Sequence, residues 1–254
     1  MGLLRGESWC LREVSFAVAP GEAWGVIGGS GSGKTTLANL VLGLLEPTEG
    51  QIALDGEPWS PLPERQRRGR RSRVQAVFQD AQASLPPHRT GWEILQEPLE
   101  VWRRGDLRSR RLAAAGMAAR VKFPEAALDQ RPEAWSGGLA QRLCLGRALM
   151  LGPALLVLDE PFSALDPTLG SHLLTLLLAL KAQGTALLLL SHDLAAVGSL
   201  CDQLLLLRDG ASLCQGPAGQ LLSNPPHPYL QALLEAVPEW VAKHQPSGLD
   251  TRAN

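Results

Sequence analysis

Lysine is scarce in this chain. Lys34, Lys122, Lys181 and Lys243 are the only four among 254 residues, and arginine carries the rest of the positive charge. Cysteine is as sparse: Cys10, Cys144, Cys201 and Cys214 show no C-x-x-C spacing and no histidine pair at ligand distance. That pattern favours scattered buried thiols in a reducing compartment over a disulfide framework or a metal site. Long apolar runs are missing too. Residues 173–180 and 186–190 fall far short of the roughly 18 residues a membrane span needs, so they read as buried helix and strand. No basic flank followed by an apolar core opens the chain, so no signal peptide is expected. The protein is expected to be soluble, or attached to a membrane through a partner. A surplus of charge is also absent. The formal net charge of −1 leaves no global basic field that would favour nucleic acid. A local run, Arg65, Arg67, Arg68, Arg70, Arg71 and Arg73, reads as a solvated face.

What is present supports a sizeable core. With 45% hydrophobic and 19% charged residues, the chain suits one large α/β domain, alone or with a subdomain. Weak alternation over residues 14–18 before Pro20-Gly21 predicts a strand and turn. Ile52-Ala53-Leu54 with Asp55-Gly56 predicts another, and residues 58–73, rich in proline and arginine, read as irregular surface. Val74 to Phe78 is a short apolar strand ending at Gln79. From Gly91 to Arg120 the period turns helical, with Ile94, Leu95, Leu99 and Trp102 on one stripe and Leu112 and Met117 further on. Core strands resume at residues 155–158 and 186–190 with a helix between them, and residues 203–214 read as a hairpin around Asp209-Gly210.

One segment carries chemistry directly. Gly28-Gly29-Ser30-Gly31-Ser32-Gly33-Lys34-Thr35-Thr36 fits the phosphate-binding pattern G-x-x-x-x-G-K-[ST]. An apolar strand, Ala23 to Ile27, precedes it, and a helix-like run from Leu37 follows. That context makes the match a nucleoside triphosphate site. The glycines let successive N–H groups turn toward one point, and a helix N-terminus adds its positive dipole end. Lys34 supplies a full charge for the β- and γ-phosphates, and the Thr35 hydroxyl can ligate Mg²⁺.

Residues 155–158 then deliver Asp159 and Glu160 to a strand's carboxyl end, where ligands of such sheets bind. Asp159 is placed to hold Mg²⁺, and Glu160 to orient or deprotonate an attacking water. Ser136, Gly137 and Gly138 open a helix. Ser136 serves there as a plain N-cap or, with the glycine N–H groups, as a second anion site.

The order of these elements resembles the ATP-binding-cassette ATPases. It runs from the phosphate loop through Gln79, the Ser136-Gly137-Gly138 helix start and Asp159-Glu160 to Ser163-Ala164-Leu165-Asp166 and Ser191-His192-Asp193. The resemblance implies an α/β phosphate-loop NTPase fold with a helical subdomain and an antiparallel β portion. It implies an ATPase domain over residues 1–224, with the helical part at about 85–150, and a tail over 225–254. It also implies roles: Gln79 beside Mg²⁺ and the attacking water, Ser136 to Gly138 on an ATP held by the opposite subunit, Asp166 in the coupling loop, and His192 at the γ-phosphate. ATP and Mg²⁺ are the implied cofactors. Two departures from the family pattern stand out. Trp135 and Leu139 flank the signature glycines where leucine and glutamine are usual, and Trp9 is the sole aromatic near the N-terminus, open to stacking on adenine or to packing under the sheet.

Within the family, Val77 to Pro87, Ile94 to Leu99 and Asn224 to Leu234, with Val237-Pro238, resemble the dipeptide, oligopeptide and nickel importers. A short tail without a cysteine cluster favours nickel or a metal chelate as cargo, with peptides as the alternative. Implied partners are a second ATPase subunit, two membrane permeases and a substrate-binding protein, without nucleic acid. The implied location is peripheral, on the cytoplasmic face of the inner membrane. A soluble cassette ATPase would need two cassettes or a coiled coil between Lys34 and Ser136. A GTPase would need N-K-x-D, which follows none of the three asparagines.

Overall fold

The computed structural model describes residues 3–5, 8–163 and 165–237. Ala164 of the coupling loop, Pro238 and the rest of the expected tail lie outside the described residues. The chain opens with two short antiparallel strands, β1 (Leu3–Arg5) and β2 (Ser8–Leu11). Next come β3 (Ala23–Ile27) and α1 (Lys34–Val41), then the hairpin of β4 (Ile52–Leu54) and β5 (Glu57–Ser60). Asp55 and Gly56 make its two-residue turn with φ of 55° and 77°, the paired positive values that match strand twist. One-turn α2 (Glu64–Arg67) and a 3₁₀ segment lead to β6 (Val74–Val77). A helical block follows: α3 (Ala81–Ser84), α4 (Gly91–Val101), α5 (Leu107–Arg120) and α6 (Gly137–Leu149). The remaining core elements are β7 (Leu155–Asp159), α7 (Pro167–Ala182), β8 (Ala186–Leu190) and α8 (Leu194–Leu200). β9 (Gln203–Arg208), β10 (Ala211–Pro217), α9 (Ala218–Ser223) and α10 (Pro228–Glu235) complete it.

Six strands form one sheet in the order β10-β9-β3-β8-β7-β6, parallel except for the β10 edge. Successive side chains of a strand face opposite ways, so each leucine of β8 serves one of two cores. Leu187 and Leu189 join the core beneath α6, α7 and α8, while Leu188 and Leu190 join the one beneath α1. Burial on both faces is why these strands read as continuous apolar runs. Among the described residues no helix is long and apolar enough to cross a membrane.

Three expectations are corrected. Residues 14–18 keep their alternation, with Val14 buried and Phe16 packed on Trp24 at 5.0 Å, but form no β-ladder. Alternation reports which side faces the core and says nothing about whether a neighbouring strand is available. The stripe over residues 91–120 breaks at residues 103–105 into two helices, and Leu112 is 76% exposed. Ala114 and Ala118, one turn apart, make the buried face of α5 instead, because small residues let it lie close to α4 and α6.

The arginine run is a solvated face only in part: Arg65, Arg68 and Arg73 are exposed, whereas Arg67, Arg70 and Arg71 are not. Arg67 is 6% exposed and pairs with Glu46 and Glu64, each at 3.7 Å. Arg71 donates to Leu42 O at 2.8 Å and to both oxygens of Glu64, and Arg70 donates to Pro58 O and Leu54 O. These side chains satisfy carbonyls at the end of α1 and along the β4–β5 hairpin. Two of the four thiols are buried as expected: burial pushes Cys144 and Cys201 up to about 12, beyond ready ionisation, while Cys10 and Cys214 are half-buried.

Candidate functional site

The register of the sheet sets the site. Leu190 of β8 lies opposite both Val26 of β3 and Asp159 of β7, so the three strands end level. Their following residues emerge together: the phosphate loop, Glu160, and Ser191-His192. Glu160 N–H is anchored on Leu190 O at 2.9 Å. Its φ of 51° turns the chain sharply after the strand and directs the carboxylate back across the strand ends.

A cavity of about 770 Å³ opens there, lined by Gly28 to Thr36, Gln79, Asp159, Glu160 and His192. Gly33 in the left-handed region, φ 104°, is the N-cap of α1 and points the helix's free N–H groups into the cavity. Gly28, φ 156°, has no room for a side chain, since a Cβ would sit 2.2 Å from Leu207 O. The Lys34 ammonium lies across the loop, donating to Gly28 O at 2.7 Å and Gly29 O at 3.0 Å. Burial draws its pKa down, opposed by the carboxylates of Glu160 and Asp159. Asp159 is drawn the other way: burial raises its pKa, Glu160 raises it further, and Lys34 offsets only part. Two crowded carboxylates with one shared ammonium form a setting that further positive charge would relieve.

The Glu160 carboxylate is held from one side. One oxygen accepts from His192 N–H at 3.0 Å and meets His192 Nδ1 at 2.7 Å, while the other accepts from Ser191 Oγ at 3.0 Å. Glu160 is 7% exposed, whereas the His192 side chain is 76% exposed. Ser32 Oγ, buried in the loop, has no hydrogen-bond partner among the described residues.

Ser136, Gly137, Gly138 and Asp166 are not part of this cavity. Ser136 N-caps α6 through Leu139 N–H at 3.4 Å, and Asp166 N-caps α7 through Leu169 N–H at 3.0 Å. Ser136 and Gly137 are exposed and lie outside the cavity that the chain's own phosphate loop lines.

The profile of the ABC transporter family matches residues 11–163. The chain belongs to that family. A putative peptide import ATP-binding protein of Brucella ovis is 41% identical over 229 residues, which are 90% of this chain and 72% of that protein. The dipeptide transport ATP-binding protein DppF of Haemophilus influenzae is 36% identical over 229 residues, 90% of this chain and 70% of its own length. Among solved structures, a dimeric ATP-binding cassette in a post-hydrolysis state, bound to ADP and Pi, aligns with a TM-score of 0.79. It is 28% identical and covers 85% of this chain and 95% of its own. The chain is thus an ABC ATPase, an enzyme coupled to transport, with the α/β fold of solved cassettes.

Sequence reasoning missed several residues of this ABC ATPase's cavity. Asp209 and Gly210 line it from the β9–β10 turn, and Gly210 N–H donates to Ser32 O at 3.1 Å. Leu233 lines it from α10. Trp9, which the sequence did single out, lines it from β2 and is 36% exposed, so it is not packed under the sheet. Gln141 of α6, buried, donates from Nε2 to Glu160 O at 3.3 Å and ties the signature helix to the strand-end acid. A glutamine in a helix carries no signal for such a link.

Proposed function

We propose that this ABC ATPase is the ATP-hydrolysing subunit of a bacterial importer for dipeptides or oligopeptides. The peptide cargo rests on the two curated relatives, both named for peptide import or transport. The nickel expectation drawn from the tail has no support among them, and peptide uptake takes its place.

The observation that carries the mechanism is that the exposed, glycine-rich start of α6 lies outside the phosphate-loop cavity. The phosphate loop, Asp159, Glu160 and His192 share a cavity that Ser136 and Gly137 do not reach. In our reading each ATP is completed by the exposed start of α6 from a second subunit. Gly28 to Thr36 and the N-terminus of α1 bind the phosphates, and Lys34 moves from its carbonyls onto the β- and γ-phosphates. Glu160 accepts a proton from the attacking water, held in place by Ser191 and His192. His192, bonded to Glu160 through Nδ1, keeps Nε2 for the γ-phosphate. Gln79 sits at the cavity rim to position the water, and Asp166 links the paired sites.

Mg²⁺ fits the crowded Asp159–Glu160 pair, whose burial and mutual repulsion call for positive charge. Thr35, Gln79 and Asp159 would hold it, and it would neutralise developing phosphate charge. Trp9 is placed to stack on adenine. Closing on two ATPs and reopening then drives two membrane permeases fed by a substrate-binding protein, with the ATPase peripheral on the cytoplasmic face of the inner membrane. Residues 1–224 form the ATPase domain in this reading, with the helical part at about 85–150, and α10 of the expected 225–254 tail packs into that same core.

The test is Ser136→Arg. ATP binding by the isolated chain should stay near wild type, while hydrolysis by the assembled pair is lost. Loss of nucleotide binding in the isolated chain would refute the two-subunit site.

A further inference from the structure

The phosphate loop is tied to a helix 200 positions away. Gly29 N–H donates to Tyr229 Oη of α10 at 3.0 Å. The carbonyl of that same peptide unit, Gly28 O, accepts from Lys34 Nζ at 2.7 Å. In a trans peptide the N–H and C=O point in opposite directions. Tyr229 and Lys34 therefore hold one peptide plane from its two ends. Fixing the N–H outward fixes the carbonyl inward, toward the ammonium that must meet the phosphates.

Tyr229 is itself held on three sides. Its backbone N–H donates to His227 Nδ1 at 3.0 Å, which caps α10. The Arg208 guanidinium lies 4.7 Å from its ring centroid, and Leu230 and Leu234 bury the helix in the main core. Leu233 of the same helix lines the nucleotide cavity. It is the one tyrosine in the sequence, and its hydroxyl meets a glycine that leaves it room: a Cβ on Gly29 would lie 2.9 Å from Tyr229 Oη.

We infer that Tyr229 is a positioning residue of the nucleotide site, and that the seating of α10 is thereby coupled to ATP binding. The inference rests on the phosphate loop binding ATP. Phosphate charge drawn into the loop pulls Lys34 off Gly28 O. A plane still anchored by Tyr229 keeps the loop from rearranging as the lysine leaves. Displacing α10 releases that anchor, and with it moves Leu233 from the cavity wall, so ATP binding weakens.

The experiment uses the full chain with a fluorescent ATP analogue, and follows thermal unfolding in parallel. Tyr229→Phe removes one neutral hydrogen bond and keeps the ring over Arg208. ATP affinity should fall roughly two- to tenfold, the equivalent of one such bond, in a protein that unfolds close to the wild-type temperature. A purely structural tyrosine would lower the unfolding temperature and leave affinity unmoved. Gly29→Ala forces the hydroxyl from its place and should also weaken binding. Adding Tyr229→Phe to it should recover part of that loss, because the crowding oxygen is gone. Equal affinity of folded Tyr229→Phe and wild type, or strictly additive losses in the double variant, would overturn the inference. Should Tyr229→Phe not fold, unchanged ATP binding by Gly29→Ala would overturn it. A wild-type chain that binds no ATP would overturn the nucleotide reading and this inference together.

Discussion

In the proposed mechanism, replacing Glu160 by glutamine should separate ATP binding from chemistry. The carboxylate receives three contacts, from His192 N–H at 3.0 Å, His192 Nδ1 at 2.7 Å and Ser191 Oγ at 3.0 Å. Glutamine has the same length and tolerates the same φ of 51° about as well as glutamate. Its carbonyl can keep the His192 side, and its amide can donate to Ser191 Oγ once that hydroxyl turns. What is lost is the charge assistance of those bonds, about 2 kcal/mol. For a chain of this size that lowers the unfolding temperature by roughly 4–8 °C, leaving a folded protein at 25 °C. Hydrolysis loses its base and should fall by roughly 10²–10⁴-fold. The assays are steady-state phosphate release by the assembled transporter, ATP binding at equilibrium and a melting curve. Expected together are near-normal binding, a modest melting shift and a stalled, closed pair of subunits. Turnover within a few-fold of wild type would remove Glu160 from the role of base. Lost ATP binding in a folded variant would show that the carboxylate serves the ground state.

Trp59, 1% exposed, donates from Nε1 to Val41 O at 2.9 Å, under the guanidinium groups of Arg70 and Arg71. Trp59→Ala should cost about 3–5 kcal/mol in urea unfolding, and a loss below about 1 kcal/mol would contradict this packing. Lys34 gives a pH prediction: burial lowers its pKa in the free chain, whereas bound phosphates favour its charged form. Binding ATP at alkaline pH therefore draws a proton onto Lys34, and affinity should weaken as pH rises through that lowered pKa. Calorimetry in buffers from about pH 7 to pH 10 reads it, and a flat affinity would count against the charge role of Lys34.

The loop from Gly28 to Thr36 and the pair Asp159-Glu160 were legible because each is contiguous and sits at a strand end, where local sequence fixes what the backbone presents. The level ends of β3, β7 and β8 were not legible, since register belongs to the sheet and not to any one strand. Residues 14–18 misled because their alternation is real while the pairing it suggests depends on a distant edge. Arg67, Arg70 and Arg71 misled because a run of charge looks solvated until the carbonyls it serves, at Leu42, Leu54 and Pro58, fold beneath it. Tyr229 reads in the sequence only as part of the stretch from Asn224 to Leu234, with no sign of its tie to the phosphate loop. A hydroxyl meeting a backbone N–H across 200 positions depends on where α10 docks, which no local pattern encodes.

The central claim is that ATP turnover by this chain drives peptide uptake. Its most direct test is accumulation of a radiolabelled dipeptide, with radiolabelled nickel as control, in cells lacking the gene and carrying either the wild-type chain or Glu160→Gln. The account predicts dipeptide uptake restored by wild type and abolished with Glu160→Gln, and nickel uptake the same in every strain. Dipeptide uptake that persists without the gene, alongside lost nickel uptake, would contradict it.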